Sequence, residues 1–489
     1  MSAYEPLAPD LVTHIITESM RVLETLGVAV HHPEAVALLA DHGAPVDGRG
    51  RVRLPADLVD RARRSAPPTV KLFDVLGRQT HDIGGSRQSF APGSSATAVL
   101  DRATGRARPP ATSDYIEYAR IVNALPHLAA QSTAFVPAEV PAPVSDSYRL
   151  YLSLRHCEKP VITGAFSVAG FALMKDLLLI VRGSDEGLAA QPLAIFSCCP
   201  TSPLAWSRDS LATLLGCARS GIPVEIVPMP LAGFIAPVSL AGTLIQQTAE
   251  ALAGIVISQL ANPGAPILFG GAGTVFDVRH ETTPMASMES MLMACGAAQV
   301  GRRFGLPTQA YIALSDAKTL DAQAGFETGA GASLAALSGI NQISGPGLLD
   351  FGNCFSLEKL VFDNEICAAA ARLGRGLTAP TSPAIESIDE LLREGHLLIA
   401  GDTRRHLCEQ IAFPGALIDR ESRARWAERG MPALGHRVSS TIDRLLASSV
   451  PPALGPERQQ ALADRMSASL RDCGMEALPP YADADPLRA

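Results

Sequence analysis

The chain has 489 residues, enough for one large enzyme domain with appendages or for two to three domains. Its net charge is −8 and it has no basic stripe, which argues against a nucleic-acid partner. Charged residues make up only 18% and hydrophobic residues 47%, so much surface is hidden, in a thick core or in the contacts of an expected homo-oligomer.

In chain order, residues 1–90 read as an α+β extension. Apolar residues at helical spacing run from Leu11 to Leu26 and stop at Gly27. A second helix is expected over Pro33–His42, with Pro in its first turn and Gly43 behind it, and a third over Ala56–Ser65. Short strands are expected at Val52–Leu54 and Val70–Phe73.

The pattern then changes. β-prone runs begin near Ala96, His127, Pro160, Pro192, Pro223, Pro266, Thr308 and Ile343, and a helical run follows each. These helices are expected at Ser113–Leu125, Asp146–Cys157, Ala169–Val181, Asp209–Ser220, Leu240–Asn262, Met288–Phe304, Gln323–Ser338 and Leu357–Leu373. Strand–helix units in regular succession predict a parallel sheet closed as a TIM (β/α)8 barrel over 91–378. The rival, an open doubly wound sheet, is weakened because no GxGxxG follows the first strand. Residues 379–489 begin in a Pro/Ser/Thr stretch (Thr378–Pro383) and read as a helical tail with a frayed end at Pro479–Ala489.

No uninterrupted apolar run approaches the ~18 residues that cross a bilayer. The acidic segment Met1–Asp10 does not read as a signal peptide, and nine dispersed cysteines fit a reduced, cytoplasmic chain. No CxxC, HExxH or Cys/His cluster with zinc spacing is present, so no intrinsic metal is expected.

Barrel enzymes carry their chemistry beyond the carboxyl ends of the strands. Those loops are rich in Gly, Ala and Pro here. Gly233, Gly271, Gly273 and Gly345 would let a broad, flat ligand approach the backbone, although tight turns alone would also use them. After the seventh strand come Asp316, Lys318, Asp321 and Glu327, an ionisable group in an apolar stretch and so a candidate for perturbed pKa values. A solvated turn with a Lys–Asp pair is the plainer alternative. Glu250, within an apolar helix, suggests a hydrogen bond to a neighbouring loop.

"PMPLAGFIAPVSLAG" (Pro228–Gly242), "GLPTQAYIALSDAKTLDAQAGFE" (Gly305–Glu327) and "SLEKLVFDNEI" (Ser356–Ile366) resemble the trimethylamine methyltransferase family. "LETLGV" (Leu23–Val28), "DRATGRARPPATSDY" (Asp101–Tyr115) and "DRESRARWAERG" (Asp419–Gly430) match in the same order. The resemblance spans nearly the whole chain. It implies a TIM-barrel enzyme that demethylates a methylamine and passes the methyl to a separate corrinoid (cobalamin) protein.

The family's founding members carry pyrrolysine in the loop matching "SDAK", where this chain has Lys318. That departure points to the branch without pyrrolysine and to a quaternary, betaine-like amine. A quaternary nitrogen leaves as a neutral tertiary amine, so direct attack by Co(I) needs no acid. Trimethylamine would need prior activation. The protein's task is then alignment, which can remove ~7–11 kcal/mol of barrier.

The resemblance makes Asp316, Lys318 and Asp321 the catalytic candidates. Phe166, Phe234, Tyr311, Asp350, Phe351 and Phe355 become the candidates for holding the cation, each aromatic face contributing ~0.5–2 kcal/mol. Gly233, Gly271, Gly273 and Gly345 would face the corrinoid. Two alternatives stay open: another corrinoid- or pterin-linked methyltransferase, and a non-catalytic paralogue that binds betaine or corrinoid.

Overall fold

A computed structural model describes residues 4–48, 50–379, 383–450 and 452–480. Residues 380–382 of the Pro/Ser/Thr stretch, and the expected frayed end from 481 onward, lie outside the described residues.

Eight parallel strands form one sheet: β1 Ser89–Ala91, β2 Gln131–Ser132, β3 Val161–Thr163, β4 Ala194–Cys198, β5 Val224–Ile226, β6 Ile267–Gly271, β7 Thr308–Tyr311 and β8 Gln342–Ser344. From β2 to β8 each strand pairs with the next, and β8 pairs back onto β1. β1 and β2 meet through Ala129 N donating to Phe90 O (2.9 Å), Ser95 N to Thr133 O (3.1 Å) and Ala96 N to Ala134 O (2.9 Å). The sheet is thereby closed into a barrel.

Seven of the strands lie at or within a few residues of the runs read from the sequence, and the first does not. The run beginning at Ala96 forms Ala98–Leu100 instead, in a side sheet parallel to Cys354–Phe355 and antiparallel to Ala107–Arg108. Pro92-Gly93 ends β1 after three residues, so the longer apolar run beyond it gives the stronger signal and the wrong strand.

The helices follow in order: α1 Thr112–Ala124, α2 Ser145–His156, α3 Val168–Arg182, α4 Arg208–Ser220, α5 Leu240–Ala261, α6 Met288–Arg303, α7 Ala322–Ser338 and α8 Leu357–Gly374. Six of them start at a side chain that accepts from the third backbone N–H of the helix: Ser167, Ser207, Ser239, Ser287, Asp321 and Ser356. Each such cap contributes about 1 kcal/mol. α5 is long and apolar enough to cross a membrane by length and composition, but 72% of its apolar window is buried inside the fold.

Strand alternation sorts the side chains. Ile162, Ile195 and Leu268 join a small inner core with Val70, Leu72 and Ile83 of the hairpin Val70–Phe73/Gln79–Ile83. Their neighbours Phe196, Val224, Ile226, Ile267, Phe269 and Ile343 belong to the main core shared with the helices. That core is continuous with the flanking regions. The helix Pro9–Thr25 packs on α5, where Ser19 Oγ donates to Ile245 O (3.0 Å). Of the tail helices, Leu434–Ala447 packs on α1 and α8, and Pro456–Asp472 packs on α2 and α3. Val28–Val30 pairs in parallel with Ala205–Trp206, in the connection between β4 and α4.

Candidate functional site

Two large hollows lie at different places on the molecule. One of about 840 Å3 is lined by Pro68, Gly85, Gly305, Gly339 and Asn341, residues that precede strands or follow helices. The other, about 550 Å3, is lined by residues that end or follow strands: Ser95, Phe166, Ser197, Met229, Tyr311 and Phe351 among them. Parallel barrels place their chemistry at this second, carboxyl end, so the smaller hollow is the candidate site.

The wall is built from inward positions of the strands. Val224 and Ile226 turn outward into the main core, so alternation turns Glu225 inward, opposite Ser197 in register. Ser197 Oγ donates to Glu225 Oε1 (2.6 Å), while Glu225 Oε2 is buried with no hydrogen-bond partner. Burial pushes the Glu225 carboxyl up to about 7, against the lowering effect of the Ser197 hydrogen bond. Tyr311 lines the cavity, its hydroxyl 3.0 Å from Ser94 Oγ. Burial raises the Tyr311 phenol, and the nearby Glu225 charge raises it further, so it stays neutral. A carboxyl poised near neutrality thus lies behind the lining Ser197, close enough to the protonated Tyr311 phenol to act on it. Nothing in the loops beyond the strands announces Glu225. Its one sequence signal is an acid inside the apolar run "IPVEIVPM".

A cation sits on another side. Arg149 of α2 is fully buried. Its Nη1 donates to Ser95 Oγ (3.1 Å) and Thr133 O (3.0 Å), whereas its Nε and Nη2 have no partner. The guanidinium lies 4.5 Å from the centroid of the Phe166 ring.

The residues singled out from the sequence divide. Phe166, Tyr311 and Phe351 line the cavity. Phe234 is 65% exposed at the rim and stacks on Phe276 (4.8 Å). Phe355 does not reach the cavity. Its pairing with Leu348 and Val99 turns it into an aromatic cluster with Tyr118 and Phe135.

Asp316 accepts from Met285 N (3.1 Å) and Ala286 N (2.9 Å), tying the connection after β6 to the loop after β7. Burial lifts its carboxyl to about 6. Glu327 accepts from Ser315 Oγ (2.6 Å) and Asp316 N (2.8 Å). Asp321 is the cap of α7. Lys318 Nζ donates to Asp316 O (2.7 Å), pairs with Asp350 (3.0 Å) and lies 3.8 Å from the Phe351 centroid. Asp350 and Phe351 both hold positive φ, 51° and 59°, on the rim beneath that lysine.

At Gly271 and Gly273 the room for a side chain is taken by Gln247, whose nearest atoms would stand 2.6 and 2.3 Å from an added Cβ. At Gly345 it is taken by the Ala313 backbone at 2.8 Å. Internal packing crowds all three positions. Gly233 is the exposed one, with only Val238 nearby. Glu250 accepts from Ser202 Oγ (2.7 Å), Leu204 N (2.9 Å) and Gln246 Nε2 (3.0 Å), the loop-holding role its context suggested. Among the described residues, no three His, Cys, Asp or Glu are grouped to hold a metal ion.

A family model described as trimethylamine methyltransferase (MTTB) matches residues 1–472. Similar proteins include the trimethylamine methyltransferase MttB of Desulfitobacterium hafniense (strain DSM 10664 / DCB-2), 27% identical over 97% of this chain and 94% of the relative. A glycine betaine methyltransferase of Desulfitobacterium hafniense (strain Y51) is 29% identical over 97% of this chain and 98% of its own length. Among solved structures, the Methanosarcina barkeri monomethylamine methyltransferase (MtmB) covers 96% of this chain and 89% of its own. Its TM-score is 0.52 at 13% identity, a likeness of fold.

Proposed function

The chain belongs to the trimethylamine methyltransferase family, and from that premise we propose that it moves a methyl group from a quaternary, betaine-like amine to the cobalt of a corrinoid carried by a partner protein in the cytoplasm. The observation that carries this reading is the cavity floor. A quaternary ammonium has no N–H, so no acceptor can hold it by a hydrogen bond to nitrogen. Aromatic faces and a negative charge must do so. Tyr311, Phe166 and Phe351 line the cavity and supply the faces, and Glu225, bonded to the lining Ser197, supplies the charge from behind it once it is ionised. The relative named for glycine betaine supports the same substrate class.

This chain's residues bind and align. Ser197 fixes Glu225 behind the lining and Ser94 fixes Tyr311 within it, so the ammonium is held beside them with a methyl directed to the open mouth. The segment at Gly233, Phe234 and Val238 is exposed and apolar, which fits a macrocycle presented by a partner. When bound there, the corrinoid supplies the nucleophile that takes the methyl. Lys318, tied to Asp350 and to the Asp316 carbonyl, holds the rim.

The test is to incubate the protein with a reduced corrinoid and a panel of amines while recording the methyl-Co(III) spectrum. Methylation of the corrinoid with a betaine but not with trimethylamine is the expected result. No spectral change with any quaternary amine would overturn the reading and leave a binding protein.

A further inference from the structure

A buried guanidinium with open donors is costly to keep. Removing a charge from water carries a penalty of several kcal/mol unless a counter-charge or a full set of hydrogen bonds compensates it. Arg149 has no direct ion pair and an incomplete set of hydrogen bonds. Its two hydrogen bonds go to neutral oxygens, Ser95 Oγ and Thr133 O, and Nε and Nη2 are unpartnered. The buried Asp146 acts on it electrostatically but is already engaged. Asp146 Oδ1 accepts from Ser147 N (2.7 Å) and Ser147 Oγ (3.1 Å), and its Oδ2 accepts from Phe166 N (2.8 Å).

The guanidinium lies directly behind the cavity lining. Ser95, which Arg149 binds, and Phe166, which covers one face of the guanidinium, both line it. Tyr311, at the cavity floor, is close enough to interact with Arg149 electrostatically. Two unlike groups therefore stand behind the cavity lining. Glu225, with its open Oε2 behind Ser197, suits a cation. The planar Arg149 fork, behind Ser95 and Phe166, lacks an anion.

We infer that Arg149 is a specificity-determining residue that reads the carboxylate of a zwitterionic substrate, with Nε and Nη2 as the two donors. The inference rests on the quaternary-amine reading and narrows it: a carboxylate must accompany the ammonium. A guanidinium edge matches a carboxylate through two parallel N–H···O bonds, a geometry a lysine cannot reproduce. A positive charge in this wall also penalises a cation that brings no anion, so choline-like amines are discriminated against as well as unrewarded.

Calorimetric titration of the purified protein tests this with three ligands of nearly one shape. Glycine betaine carries both charges, choline only the ammonium, and tert-butylacetate only the carboxylate. The wild type binds glycine betaine at least about tenfold more tightly than choline, the yield of a charge-assisted pair. In Arg149→Gln, betaine affinity falls to the choline level while choline affinity holds or rises. Arg149→Lys gives an intermediate loss, since it keeps the charge without the fork. Betaine and choline bound equally by the wild type would overturn the inference, and that comparison needs no variant to fold. Equal weakening of both ligands in a folded Arg149→Gln would also overturn it. If neither quaternary amine binds but tert-butylacetate binds the wild type and not Arg149→Gln, the quaternary-amine reading fails and the anion site stands.

Discussion

Glu225→Gln tests the electrostatics of the cavity floor directly. The Glu225 carboxyl has an ordinary value of 4.5 and is pushed by burial to about 7. Between those two values the folded protein keeps a proton that the unfolded chain has given up. The folded state binds more protons there, so stability falls as pH rises through the window and is level above it. The difference between 4.5 and about 7, at ~1.4 kcal/mol per pH unit, comes to about 3 kcal/mol lost by pH 8. Glutamine has no proton to lose, and its amide oxygen can still accept from Ser197 Oγ.

Urea unfolding of both proteins at pH 5 and pH 8 measures this. The variant and the wild type should lie within about 1 kcal/mol of each other at pH 5, and the variant should lead by about 2–3 kcal/mol at pH 8. A saturating quaternary amine should shrink that lead, because a bound cation favours the ionised carboxylate. Parallel pH profiles for the two proteins would refute the reasoning.

Other outcomes follow from individual contacts. Lys318→Ala should leave the preference for betaine over choline unchanged, since Lys318 is spent on Asp350 and Asp316 O; a selective rise in KM for betaine would show that it reads the carboxylate after all. Asp321→Ala removes the α7 cap and should cost about 1 kcal/mol in chemical denaturation with little change in ligand affinity. Lys359→Met leaves Asp363 buried beside Thr328 without its cation and should cost about 3–5 kcal/mol, seen as a large drop in melting temperature or loss of soluble protein.

The barrel was legible because each helix announces itself locally. A Ser or Asp cap and a 3.6-residue apolar spacing need no tertiary information, and α3 to α8 start where those signals stand. Strand β1 was not legible. Three residues cannot display alternation, and its pairing with β8 is specified only by the closed sheet.

The site divides on the same physical line. Reading only what lies beyond strand ends found Tyr311, Phe166 and Phe351 but passed over Glu225 and Arg149. Those two stand directly behind the cavity lining, bonded to Ser197 and Ser95, because of strand alternation and helix rotation, which matter only once the register is known. The same blindness counted Phe355 as a site residue, although its register sends it to Tyr118 and Phe135. Asp316 and Asp321 stood out because several ionisable groups gather in an apolar stretch. Asp316 accepts from backbone N–H groups of the connection after β6, and Asp321 from the first turn of its own helix.

The pairing of Val28–Val30 with Ala205–Trp206 has a consequence for how the protein comes into being. Arg51, next to that strand, bonds Leu204 O across 153 residues of sequence, and Ser89 of β1 bonds Gln342 of β8 across 253. As a ribosome delivers the chain, the first strands emerge long before their partners exist, and closing such long loops is slow. The cavity wall can form only when nearly all of the barrel has been synthesised. Until then β1 presents an unpaired edge, which makes the growing chain a natural client for chaperones. Mutations that slow barrel closure should therefore lower the yield of soluble protein before they alter the finished site.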